Sequence, residues 1–296
     1  FHSGVFGAHE LHPFLVASAE NIPLMPQFAG EGQFYIGVKD LQPPQNLSIL
    51  FQLAEGSENP LKDNPTVHWS YLNKNNWVEF QKIEVADSTD NLVKSGIVTF
   101  SFPKGVNQDN TLLPKGYHWI RAHVETDTDG VSQAIAVMAQ AGRAVFVDKE
   151  NDPNFLATPL EGGTISSLLV KDASIKKVSQ PYNSFGGRSA EADQAFYTRV
   201  SERLRHKERA ITIWDYEHLV LEHFPSIYKV KCLPHTEIGK DVYNEKRPGH
   251  VAIIPIPNIK SDLAANPLEP YTSKALHNEI ENLLKLHTSK WVGLTV

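Results

Sequence analysis

The sequence predicts an α+β, multidomain chain: an N-terminal antiparallel β-sandwich-like domain followed by a ferredoxin-like split βαβ domain. Three observations carry this. Six short runs rich in β-branched and aromatic residues lie between Gln33 and Val124, separated by Pro, Gly, Asn and Asp, the spacing of a sandwich. From Ser189 the apolar residues recur with a helical period instead. The final third then reads helix, strand, strand, helix, strand, an order that fits part of a split βαβ unit.

Residues 1–32, with Pro13, Pro23 and Pro26 and no clean period, are expected to be a connecting arm. The sandwich is expected over 33–130, in QFYIGV, NLSILFQLA, TVHWSYL, WVEFQKIEV, SGIVTFSF and YHWIRAHV. In TVHWSYL, Val67, Trp69 and Tyr71 share one face and His68 and Ser70 the other. Residues 131–180 are read as a connector. The alanines and methionine of Val131–Val147 favour a helix ended near Gly142, and GGTISSLLV and ASIKKVSQPY follow as candidate strands. Pro181 and the Gly186–Gly187 pair mark the boundary of a domain over 181–296. There Ser189 is the expected N-cap of a helix reaching Lys207, with Ala192, Phe196, Val200 and Leu204 as its apolar stripe. Thr212 and Asp215 form a capping-box pattern ahead of a helix whose core face is Tyr216, Leu219, Val220 and Phe224. IYKVKCL is a strand with Lys229 and Lys231 on one side and Tyr228, Val230 and Cys232 on the other. GHVAIIPIP is a second strand, 257–270 a loop, Tyr271–His287 a helix, and a last strand begins at Trp291.

Composition narrows the function classes. The 296 residues carry 28 basic and 34 acidic side chains, a net charge of −6, which argues against a globally basic nucleic-acid binder. One cysteine, Cys232, excludes an internal disulfide framework. No apolar run approaches a membrane span and no signal peptide is visible. The chain begins at Phe1 without methionine and stops in WVGLTV, so it is read as a C-terminally truncated piece of a longer protein.

The motifs offer no catalytic constellation. Around Gly186 and Gly187 there is neither the spaced glycine–lysine of a P-loop nor a dinucleotide fingerprint. Glu191 and Asp193 would repel a phosphate at the helix start. The turn reads as glycines taking unusual backbone angles before a helix cap. Between Arg199 and Arg209, five basic residues face two acidic ones, a local charge of +3. Arg199 and Arg203, one turn apart, present two guanidinium forks suited to carboxylates of a neighbouring subunit or to phosphates. HELH (His9–His12) lacks the spacing of a zinc motif, and His218 and His223 do not share a helix face well. Cys232 reads as core. Trp69, Tyr71, Trp77 and Trp119 are read chiefly as core or interface, with a sugar-stacking platform as the rival.

Phe185-Gly186-Gly187, Glu191, Arg199, Ala210 to Thr212, Asp215-Tyr216-Glu217, Tyr228 to Leu233 and Pro248-Gly249 come in an order that resembles the baseplate J-like family of phage tails and related machines. FYIGVKDLQPPQNLSILFQLAEG, VHWSYLNKNNWVEF and LPKGYHWIRAHV resemble the large baseplate wedge proteins of extracellular contractile injection systems of the antifeeding-prophage and virulence-cassette type. Together the resemblance runs from about Gln33 to Val296. It implies a structural baseplate wedge component without catalytic residues or cofactors, forming a ring around the central hub and relaying the contraction trigger. The implied partners are a second wedge protein and the hub, spike and sheath-adaptor proteins of the same particle, with no nucleic acid and no membrane. The expected docking residues are Phe185, Gly186, Gly187, Arg188, Arg199, Arg203 and Asp215, with a hinge at Pro181 and the glycine pair. The rivals are a carbohydrate-binding sandwich module and a hydrolase.

Overall fold

A computed structural model describes residues 2–4, 7–9, 30–54, 56–59, 62, 64–152, 154–239, 243–258 and 272–296. The chain divides into two compact units, Phe1–Gly142 with Arg209–Val296, and Arg143–Glu208. No helix among the described residues is long and apolar enough to cross a membrane.

In the first unit, β1 (His2–Gly4) and β2 (Gly7–His9) pair antiparallel within the expected arm. Residues 10–29 of the arm and the side chains of HELH lie outside the described residues, and the arm's last residue, Gly32, already opens β3. The sandwich is built from β3 (Gly32–Val38), β4 (Gln45–Ala54), β5 (His68–Asn73), β6 (Asn76–Glu79), β7 (Val85–Asp87), β8 (Gly96–Phe102), β9 (His118–Val124) and β10 (Gln133–Ala139). One sheet runs β3-β9-β5-β6 and the other β10-β4-β8-β7. Alternation decides what faces inward. Leu47, Ile49, Phe51 and Leu53 of β4 and Val98, Phe100 and Phe102 of β8 meet Trp69, Tyr71, Ile120 and Ala122 of the facing sheet in one core. Phe80, between β6 and β7, joins it, with its ring 5.3 Å from that of Phe100.

Two expectations are corrected here. WVEFQKIEV is not one strand: a turn closed by Glu84 N–H donating to Gln81 O (2.8 Å) splits it into β6 and β7, which lie in different sheets. Val131–Val147 is not a helix. β4 has an open edge from Ile49 to Ala54, and β10 fills it, slipping register at Ile135. The ladder outweighs the helical preference of the alanines.

The C-terminal lobe of the same unit contains α2 (Ile213–His223), β11 (Ile227–Pro234), β12 (Glu237–Ile238), β13 (Tyr243–Asn244), β14 (His250–Pro257), α3 (Lys274–His287) and β15 (Gly293–Thr295); α1 (Asp193–His206) belongs to the second unit. Leu219 and Val220 of α2, Val230 and Cys232 of β11, Ile253 of β14 and Ile280 and Leu284 of α3 share the lobe's core. The three-stranded sheet is ordered β11-β14-β15, with β11 antiparallel and β15 parallel to β14. A split βαβ would hold a strand between its two parallel strands. Here β14 and β15 hydrogen-bond directly, so the unit is an unsplit βαβ. The expected face of β11 also changes at its start. A bulge between Ile227 and Lys229 sends Ile227 inward and leaves Tyr228 exposed. The expected loop 257–270 falls mostly outside the described residues.

Sandwich and lobe are stitched through one buried carboxylate. Glu58, 4% exposed, accepts from Gly56 N–H (2.9 Å) and Ser132 Oγ–H (2.8 Å) through Oε2, and from Lys274 N–H (2.7 Å) through Oε1. Lys274 opens α3, so Glu58 sits at a helix N-terminus, where negative charge is favoured. Lys94 Nζ and Glu279 Oε1, 2.9 Å apart, form a second link.

Candidate functional site

The residues expected to dock a partner fall mainly in the second unit, Arg143–Glu208. Among its described residues up to Ala192 this unit has neither helix nor strand, so 162–170 and 173–182 are not strands as expected. Side chains do the work that a ladder would do. Gln180 Oε1 accepts from Ile165 N–H (3.1 Å), and its amide donates to Tyr182 O (2.9 Å). Asn183 Oδ1 accepts from Gly162 N–H (2.9 Å), and Ser184 exchanges bonds with both the N–H and the C=O of Leu160 (2.8 Å each).

Those bonds hold the base of the glycine turn. Gly186 has φ = 79°, a left-handed conformation that suits glycine. A Cβ on Gly187 would come within 3.1 Å of Leu156 O. The turn lifts Phe185 into solvent, 76% exposed, with Arg188 exposed just after it. The N-cap of α1 is Ala192, not Ser189, and it offers no side-chain acceptor. Glu191 faces Arg199 instead: Nε donates to Oε1 at 3.0 Å and Nη2 to Oε2 at 2.8 Å. The hydrogen bonds from Arg199 hold the Glu191 carboxyl below the usual range. The Arg199 guanidinium also lies 5.5 Å from the Phe196 ring centre. Arg203 is paired with Glu208 just past the helix end. Both expected forks therefore grip carboxylates of their own unit. Asp215 lies in the other unit and has a local task. It accepts from Thr212 N–H (2.8 Å) and Ile211 N–H (3.2 Å) while its own N–H donates to Thr212 Oγ1, completing the capping box read from the sequence.

Sequence reasoning missed how little of this unit is covered. The expected stripe of α1 is not buried: Phe196 and Leu204 are exposed, as is Tyr197 beside them. Leu169, Val170, Val145 and Val147 are exposed as well. The exposed apolar side chains of this unit thus come from α1 and from the irregular segments ahead of it. The signal was present in the mixed apolar runs of 145–147 and 168–170, but without a period it could not be assigned to an inner or outer face. Among the described residues no group of three His, Cys, Asp or Glu is placed to hold a metal.

The four aromatics of the first domain divide. Trp69 and Tyr71 are core. Trp77 and Trp119 stand on the outer face of the β3-β9-β5-β6 sheet, where the Trp119 ring passes within about 3 Å of the position a Cβ would take on Gly37.

No curated protein matches this chain. Among solved structures it is similar to a chain of the anti-feeding prophage (AFP) baseplate, determined by cryo-EM with 6-fold symmetrisation, at 18% identity and a TM-score of 0.36. The similarity covers 90% of this chain, which spans 57% of the length of that one. The family model described as "Baseplate protein PVC11-like" matches residues 2–296. Since that match takes in nearly the whole sequence, the chain belongs to the PVC11-like family of baseplate proteins.

Proposed function

We propose that this chain is a wedge component of the baseplate of a phage-tail-like contractile injection system. It works through repeated, symmetric protein contacts with a second wedge protein and with hub and sheath-adaptor proteins of the same particle. The observation that carries this reading is the uncovered apolar surface of the Arg143–Glu208 unit in a family of baseplate proteins. That surface suits burial by neighbouring subunits, as in lasting assemblies. Phe185, Gly186, Gly187 and Arg188 form the docking turn, and Arg199 and Arg203 flank it by exchanging their intramolecular carboxylates for those of a partner. In the same proposal, Pro181 and the glycine pair absorb backbone change when the ring rearranges and relays the trigger. The reading assigns no catalytic step to the chain.

The test is quantitative mass spectrometry of sheath-and-tube particles purified from the source cells. The full-length protein is expected at a small, fixed ratio to sheath protein. Its absence from particles that otherwise hold a complete baseplate overturns the reading. Charge reversal at Arg199 and Arg203 with assembly unchanged removes those two residues from it. Equal interdomain angles in extended and contracted particles would remove the hinge.

A further inference from the structure

Arg121 differs from every arginine discussed so far. It lies on β9, and strand alternation turns it to the outer face of the β3-β9-β5-β6 sheet, in one cross-strand row with Tyr35, Ser70 and Glu79. Its Nε donates to Ser70 Oγ at 3.0 Å. Its guanidinium carbon is 4.8 Å from the Trp77 ring centre, and the Tyr35 ring centre is 5.5 Å from that of Trp77. The side chain is thus half-buried and held in one place by a hydroxyl and an indole face. Among the described residues its two terminal nitrogens have neither a carboxylate nor any other hydrogen-bond partner. Glu79, the acid of the same row, has its Oε1 3.1 Å from His68 Nδ1 instead. Burial draws the Arg121 pKa below its ordinary value, against the opposing pull of Tyr35 and Glu79 nearby. Beside it, His123 stacks on His68 at 5.0 Å, and its buried Nδ1 has no partner among the described residues. Burial, and then the Arg121 charge, lower its pKa and favour the neutral ring.

We propose that this sheet face is a second docking surface, on which Arg121 receives an Asp or Glu carboxylate of a partner protein in the baseplate, ringed by Tyr35, Trp77 and Trp119. Charge complementarity selects the occupant. A pre-positioned guanidinium fork matches a carboxylate in bidentate geometry, and the described residues supply none within hydrogen-bonding reach, whereas they supply one to each of Arg199 and Arg203. Tyr, Trp and Arg are also the residues that dominate binding at protein interfaces. The inference rests on the baseplate reading above and adds a surface on the sandwich, apart from the Phe185 turn.

The experiment uses the full-length protein free and within purified particles, labelled with phenylglyoxal and read by peptide mass spectrometry. Arg121 is expected to react in the free protein and to be protected in the particle. Arg121→Glu, with an unchanged melting temperature, is expected to lower incorporation at least about 30-fold, the effect of removing one member of a buried charged pair. Arg121→Lys keeps the charge without the fork and is expected to fall between the two. If the protein is present in particles at its fixed ratio and Arg121 reacts equally in both states, this inference fails while the baseplate reading stands. If the protein is absent from particles, the baseplate reading fails first. Protection of Arg121 in the free protein by added oligogalacturonate, with none in the particle, overturns the protein occupant in favour of an acidic glycan.

Discussion

Glu58→Ala should separate the sandwich from the C-terminal lobe more than any other single surface-preserving change. The carboxylate is buried and accepts three hydrogen bonds. Ser132 Oγ has a second acceptor in Val93 O at 2.7 Å, so it loses little. Gly56 N–H and Lys274 N–H lose Glu58 as their acceptor. A lost hydrogen bond to a charged group costs about 1.5–3 kcal/mol, and the helix N-terminus loses a favourable charge worth up to about 1 kcal/mol. With partial hydration of Gly56, the total is about 3–4 kcal/mol. At about 2–4 °C per kcal/mol for a chain of this size, the melting temperature should drop roughly 10 °C. Hydrogen exchange should quicken at the first turn of α3 before it does in β4 or β8, because the stitch fails locally first. Glu58→Gln keeps one acceptor oxygen but turns an NH2 toward a donor, so it should fall between alanine and wild type. If Glu58→Ala melts within a degree or two of wild type with first-turn protection intact, the reasoning about this carboxylate is wrong.

Other predictions follow from the same structure. Asp215→Ala removes half of the Thr212–Asp215 capping box and should destabilise the lobe by about 0.5–2 kcal/mol, measured as a shift in the urea midpoint without a change in slope. His118 and His277 are both held below the ordinary histidine value by burial. The unfolded chain therefore takes up protons near pH 6.5 that the folded chain refuses. Their contribution to stability is complete above that pH and is lost as pH falls through the folded values. Melting should be lower at pH 5 than at pH 7, and His277→Gln should lessen the difference; a flat profile would contradict the burial of both rings. The Cys232 thiol is pushed up to about 11, first by burial and then by Glu217. A disulfide reagent at pH 8 should label it only as fast as the protein unfolds, and labelling within the mixing time would show the site to be open.

Short-range features were legible. The alternation of β4, β8 and β9 and the core face of α2 appeared where periodicity placed them. So did the Thr212–Asp215 cap, whose partners are three residues apart. Each depends on neighbours within a few positions. Two of the misreadings share one cause, that pairing with a distant strand overrode a local preference. The alanines of β10 became a strand because the edge of β4 lies open to them, some 85 residues back in the chain. The bulge that turns Tyr228 outward depends on its register with β14.

By itself the sequence determined the α+β class, most of the sandwich strands, the Thr212–Asp215 cap, and the resemblance to baseplate proteins that the family match then bore out. Only the tertiary structure decided which charges are compensated. Glu58 meets the first turn of α3 across 216 positions, and Arg121 meets Ser70 across 51. Arg199 and Arg203 find carboxylates 8 and 5 residues away. A sequence shows that a charge exists. Whether it is met, buried or left for a partner is a property of the folded surface, because ion pairing acts over a few ångströms of space and is blind to distance along the chain.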